Sequence, residues 1–294
     1  MSVLLQLTGH DKDLGGGFMV RRLLPAAQRQ AVGPFLFFDH FGPVTVEPGT
    51  NHDVRPHPHI GLATVTYLFE GAITHRDSLS VEQRIEPGAV NWMTSGRGIV
   101  HSERGPENLR DKAYVNHGLQ LWAALPLASE EVEPAFFHTP ATEIPVVSLG
   151  AAEVRVLVGE AFGKTSPVKT FSPTIYLDVL MGVDGRLELP PLAEELAIYV
   201  IEGEVSVDDQ SIGVGTLAVL TPGSTTSLNC SAPTRLVVIG GEPLDAHRYM
   251  WWNFVSSRKE RIVQASEEWL AQSMGQVPGE TEFIPLPERR FVAG

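Results

Sequence analysis

A Tyr-x-x-Glu-Gly pattern occurs twice in this chain, as Tyr67-Leu-Phe-Glu-Gly71 and as Tyr199-Val-Ile-Glu-Gly203, 132 residues apart. A second pair, IEPGAVNWMTSG (85–96) and IGVGTLAVLTPG (212–223), follows at an offset of 127, which implies a hairpin loop five residues shorter in the second copy. Each copy is an apolar, β-branched run with glycines at its turns, the pattern of strands punctuated by tight connections. A β-unit repeated at this period points to two related barrels in tandem and away from alternating βα units. Other segments agree: GLQLWAAL, TIYLDVLM, TLAVLT and TRLVVIGG are rich in strand formers, and 28 Gly and 22 Pro separate them. One stretch is predicted to be helical, ASEEWLAQSMG at 265–275. In it Ser266 serves as cap, Glu267 and Glu268 occupy the first turn, Trp269, Leu270 and Met274 make an apolar stripe, and Gly275 is the stop. The fold expected is all-β, two tandem barrels with a short C-terminal helix. The boundary falls in the Pro- and Glu-containing stretch 128–145, dividing the chain into 1–134 and 135–294, with the helical tail in the second part.

Charge and cysteine content narrow the function classes. The net charge is −13, from 35 acidic and 22 basic side chains, and no Lys/Arg stripe opposes that field. Direct nucleic-acid binding is therefore disfavoured. A single cysteine, Cys230, excludes an intrachain disulfide and suits a reducing compartment. The first residues lack the basic and apolar regions of a secretory signal, and no apolar run approaches the roughly 20 residues that span a bilayer. A cytoplasmic location, no membrane association and a monomer are expected.

The candidate chemistry lies in two short runs. In VRPHPHIGLATVTYLFEG (54–71), His57 and His59 stand two apart on a strand and so share a face. Pro58 between them cannot donate to a central ladder, which predicts an edge, a strand entry or a bulge. In TSGRGIVHSERG (94–105), His101 and Glu103 repeat the spacing. If the two strands are neighbours, three neutral imidazoles and one carboxylate converge on one ion. That donor set suits Fe(II), Mn, Ni, Cu, Co or Zn rather than Ca or Mg.

These runs, together with GPFLFFDHFGP (33–43), HRDSL (75–79), PGAVNWMTSGRGIVHSE (87–103) and GLQLW (118–122), resemble the pirin family, which is built of two cupin (jelly-roll-like) barrels. The C-terminal half is similar more loosely, through GGEPL at 240–244. The resemblance implies a single metal, commonly iron, with His57, His59, His101 and Glu103 as ligands. It also implies a flavonol (quercetin-type) 2,3-dioxygenase activity, with a flavonol and O₂ as substrates and Glu103 as the base for the flavonol hydroxyl. The alternative it carries is a non-enzymatic, redox-sensing regulator that works through protein partners. Mapping the ligands through the repeat gives Leu189, Pro191, Leu228 and Cys230, so the second barrel is expected to bind no metal.

Other residues receive structural readings. His40, His52, His75 and His117 are expected to be hydrogen-bonded framework, with His75 near enough in sequence to orient a ligand. Arg97 between two glycines braces a turn, Cys230 is a small buried side chain, and no Ser-based triad accompanies Ser102. Tyr249, Trp251, Trp252 and Phe254 form a packing surface for the tail.

Overall fold

The protein, a computed structural model describing residues 2–14, 18–50 and 52–292, is almost entirely β. Its two halves repeat one strand order. One seven-stranded sheet runs Ala135–Thr139, Val90–Thr94, Leu62–Glu70, Tyr114–Ala124, Phe35–Val46, Met19–Leu24 and His10–Asp13. The other runs Val3–Leu7, Leu217–Leu220, Glu195–Glu202, Thr234–Gly241, Thr174–Met181, Ala152–Val158 and Val146–Leu149. Each has a four-stranded companion, in the order Val54–His59, Ile99–Arg104, Ile73–Asp77, Glu82–Ile85 and Arg186–Leu189, Thr226–Asn229, Glu204–Val207, Gln210–Gly213. The two copies of the Tyr-x-x-Glu-Gly pattern end equivalent strands. Both glycines need their missing Cβ: Gly71 (φ 89°) would place it 2.5 Å from the Val115 carbonyl oxygen, and Gly203 (φ 77°) 2.6 Å from Thr234 Oγ1.

The core of the second barrel lies between its two sheets. Val156, Leu177, Ile198 and Val238 from the larger sheet meet Leu187, Leu189, Val205 and Leu228 from the smaller. The strand Arg186–Leu189 alternates exposed and buried along its length, as one solvated face requires.

The compact units do not follow a linear cut at 134/135. One comprises Met1–Lys12, Arg21–Asp39 and Thr139–Pro243; the other comprises Asp13–Val20, His40–His138 and Leu244–Gly294. Strand pairing is one cause: Val3–Leu7 pairs with Leu217–Leu220 and completes an edge of the second barrel's sheet. Hydrophobic burial is the other. Phe254, Ile262, Ala265 and Trp269 of the tail bury against Ile60 and Val100, so the tail belongs with the first barrel.

The helix spans Lys259–Leu270 and starts well before the expected Ser266 cap. Arg258 holds the N-cap position and Glu260 supplies the acidic first turn. Ser266 instead sits inside the helix, its hydroxyl donating to the Ile262 carbonyl at 2.8 Å. The buried stripe is Arg261, Ile262, Ala265 and Trp269, whereas Leu270 is 60% exposed. The run KERIVQ has no helix breaker, and burial of Ile262 selects the earlier start. No helix among the described residues is long and apolar enough to cross a membrane.

Candidate metal centre

His57 and His59 project from Val54–His59, an edge strand of the smaller sheet, where Pro58 faces Val100 and its missing N–H leaves no gap in a central ladder. The neighbouring strand Ile99–Arg104 sets His101 directly opposite His57, and Ile99 opposite His59. All three imidazoles are buried, and each offers a nitrogen within 4.8 Å of the others. The ring centroids lie 4.3 Å (His57–His101), 5.0 Å (His57–His59) and 5.0 Å (His59–His101) apart. The Trp122 and His59 rings pack edge to face with centroids 5.1 Å apart.

The far side of each ring is held. His57 Nδ1–H donates to the Arg55 carbonyl (2.9 Å), and His59 Nδ1–H donates to the Asn253 carbonyl (3.2 Å). A carbonyl only accepts, so both rings carry their proton on Nδ1 and a lone pair on Nε2. His101 Nδ1 lies 3.4 Å from His75 Nδ1. His75 Nε2 in turn lies 3.0 Å from Asp77 Oδ2, and its ring stacks on Phe136 with centroids 4.3 Å apart. His101 Nε2 is buried without a hydrogen-bond partner among the described residues.

Electrostatics agree with this arrangement. Burial pushes the His57 imidazole down to about 4, and burial together with the neighbouring imidazoles pushes His59 and His101 well below their ordinary range. The rings are neutral at neutral pH, the state in which imidazole binds a metal. Three neutral imidazoles with ring nitrogens within 4.8 Å of one another, one of them carrying an orphaned buried nitrogen, fit a first-row transition metal.

Glu103 stands apart from this cluster. Its carboxylate is not among the donor atoms that meet within 4.8 Å. The register shifts between His101 and Glu103, and Glu103 comes to lie opposite Val54 on one side and His75 on the other. Burial pushes its carboxyl up to about 7.

The second barrel places leucines where the first has histidines. Leu228 lies opposite Leu187, and Thr226 opposite Leu189, in the register that joins His101 to His57 and Ile99 to His59. The equivalents are therefore Leu187, Leu189 and Leu228, all in the apolar core. Leu189 answers to His59 rather than His57, because residues 190–194 separate this strand from the next, where the first barrel has only residues 60–61. Cys230 is buried and contacts the Gly182 carbonyl through sulfur at 3.3 Å.

The remaining residues have framework surroundings. His40 and His117 face each other through Nε2 at 2.8 Å, His52 stacks on Phe18, and Arg97 pairs with Glu133 at the surface. Sequence reasoning passed over Asp77 and Asn253. Asp77 had a signal in the His75-x-Asp77 spacing on one strand. Asn253 had none, since it acts through its backbone carbonyl.

Comparisons with known proteins place this geometry in context. A family model described as Pirin matches residues 17–123, and one described as Pirin C-terminal cupin domain matches 176–275. The chain is 45% identical over 282 residues to a pirin-like protein of Caulobacter vibrioides, covering 94% of this chain and 96% of that one. A crystal structure of quercetin 2,3-dioxygenase from Acinetobacter baumannii superposes with a TM-score of 0.89 at 33% identity, covering 98% of this chain and 97% of that one. A bacterial pirin from Escherichia coli in complex with nickel(II) superposes with a TM-score of 0.65, covering 82% and 99%. At 16% identity that likeness shows the fold alone.

Proposed function

The chain belongs to the pirin family of tandem cupins, and from that premise we propose that it is a metal-dependent dioxygenase of the quercetin 2,3-dioxygenase type. Its centre is one divalent transition metal held by His57, His59, His101 and Glu103. Iron(II) is the first choice, with Ni, Mn, Cu, Co and Zn as competitors, because donor type alone does not select among them.

The observation that carries this reading is the set of three buried, neutral imidazoles facing one another. The likeness to the Acinetobacter quercetin 2,3-dioxygenase supports the reaction class. A divalent ion bound there would supply a Lewis acid with open coordination positions. The chain's own residues do the rest. Carbonyls of Arg55 and Asn253 hold two of the rings in the tautomer that binds. Glu103, on the strand that carries His101 but outside the imidazole cluster, is the proposed fourth ligand and the proposed base for the flavonol hydroxyl proton. Burial of the imidazoles and the packing of Trp122 on His59 keep bulk water from the centre.

The test is turnover of quercetin in air by protein loaded with Fe(II), followed by loss of flavonol absorbance and compared with metal-free protein. Turnover proportional to bound metal is expected. A fully loaded protein that turns over no flavonol would remove the dioxygenase reading and leave the regulator acting through protein partners.

A further inference from the structure

Asp77 is fully buried, yet it is no metal ligand and has no part in the chemistry above. Its Oδ1 accepts the backbone N–H groups of Leu79 (2.8 Å) and Val81 (3.1 Å), which anchors the carboxylate in the turn after Ile73–Asp77. Oδ2 remains for His75 Nε2 at 3.0 Å. A carboxylate oxygen only accepts, so His75 carries a proton on Nε2. Its other nitrogen faces His101 Nδ1 at 3.4 Å, and two ring nitrogens at that distance share one proton between them.

We propose that Asp77 and His75 are positioning residues that lock the tautomer of His101, with protons running Asp77 Oδ2···H–Nε2 His75 and His75 Nδ1···H–Nδ1 His101. The lock puts the His101 lone pair on Nε2 and aims it at His57 and His59. This rests on the reading of the cluster as a metal site, and it completes the pattern that the Arg55 and Asn253 carbonyls impose on the other two rings. The opposite arrangement, a doubly protonated His75 donating to His101, puts an N–H on His101 Nε2. That atom is buried and has no acceptor among the described residues, so the arrangement leaves a desolvated donor unpaired. Stacking on Phe136 at an interplanar angle of 17° fixes the plane of the His75 ring, which keeps Nδ1 directed at His101. The relay differs from the two carbonyl contacts in being made wholly of side chains, so substitution can reverse it.

Asp77→Asn is the informative variant. It keeps the Oδ1 acceptor for the turn but presents an N–H₂ to His75, which makes His75 hold its proton on Nδ1 and reverses the chain. His75→Phe removes the relay and retains a ring to stack on Phe136. In metal-free protein at pH 7.5, long-range ¹H–¹⁵N correlations are expected to show His101 protonated on Nδ1 in the wild type and on Nε2 in Asp77→Asn. Titration with Co(II) should then show binding weakened by about 10–100-fold in each single variant, the usual effect of losing such a partner. The double variant should be no weaker than His75→Phe, since one chain is being broken. Wild-type His101 protonated on Nε2, or Co(II) affinity unchanged in both folded variants, overturns the relay. Loss of fold in Asp77→Asn, seen by circular dichroism, leaves His75→Phe and the wild-type tautomer to decide. Absence of Co(II) binding in the wild type would instead remove the metal site itself, while the tautomer measurement still judges the lock.

Discussion

The two barrels share a strand order and a register and differ in three side chains that matter. His57, His59 and His101 occupy the positions that Leu187, Leu189 and Leu228 occupy in the second barrel. Both sets are buried. In the second barrel the three leucines contribute to a continuous apolar core. In the first the same positions bury polar rings, which is tolerable only because each ring has a partner on its outer nitrogen. The fold therefore does not require a polar centre at this place. Its presence in one copy alone fits the proposed metal site, where ligand binding would offset the cost in apolar burial.

The comparison breaks most visibly through metal content. Elemental analysis should give close to one transition metal per chain, and none in the double variant His57→Ala, His101→Ala. Two metals per chain, or metal retained in the double variant, would assign ligands to the second barrel or to a different place in the first.

Next in size is the role of Glu103. In Glu103→Gln the acceptor shape remains but basicity is lost, and flavonol turnover per bound metal should fall by roughly 10²–10⁴-fold. Metal content must be measured on the same sample, with Glu103→Asp as the charge-retaining control. Unchanged turnover per metal rules out the base.

The leucine side of the comparison is a matter of stability. Leu228→Ala should cost about 2–5 kcal/mol in denaturant unfolding, the range for emptying a buried leucine position. His101→Leu in the first barrel should not weaken metal-free protein by a comparable amount, because it trades a buried polar ring for an apolar side chain of similar size. A loss of several kcal/mol in His101→Leu would make the histidine cluster a structural element.

Smallest is the pH dependence of the metal-free fold. An imidazole held below its ordinary value of 6.5 takes up its proton first in the unfolded chain, so acidification from about 6.5 towards 4 favours unfolding. Glu103, raised from 4.5 to about 7, holds its proton in the folded chain and works in the opposite direction between those values. Three imidazoles outweigh one carboxyl, so between pH 6.5 and 4.5 these four groups together lower stability as pH falls. Replacing all three histidines by leucine, which copies the second barrel, should reverse the sign of their joint contribution. A triple variant with the wild-type pH slope would show that the imidazoles titrate normally.

Much of this was legible in the chain itself. The repeated Tyr-x-x-Glu-Gly pattern implied paired barrels because glycine is needed wherever a turn takes positive φ against a neighbouring carbonyl. The i, i+2 spacing placed His57 with His59 because strand geometry is local. The N-terminal strand, the start of the helix and the allegiance of the tail were decided elsewhere. Val3–Leu7 joined the second barrel through an open sheet edge, and Trp269 and Ile262 drew the tail to Ile60 and Val100; neither choice leaves a mark in local pattern.

The same division runs through the candidate metal centre. Sequence by itself determined which residue types were available and which pairs shared a strand face, because those depend on covalent spacing alone. Only the tertiary structure decided that His101 sits across from His57, that Glu103 lies outside the tight cluster, and that Asn253 and His75 hold the rings from behind. Those relations depend on register between strands and on a tail folding back over nearly two hundred residues of sequence separation, with His59 and Asn253 194 apart. They arise from long-range packing and hydrogen bonding, in which a one-residue slip would turn every ligand to the opposite face.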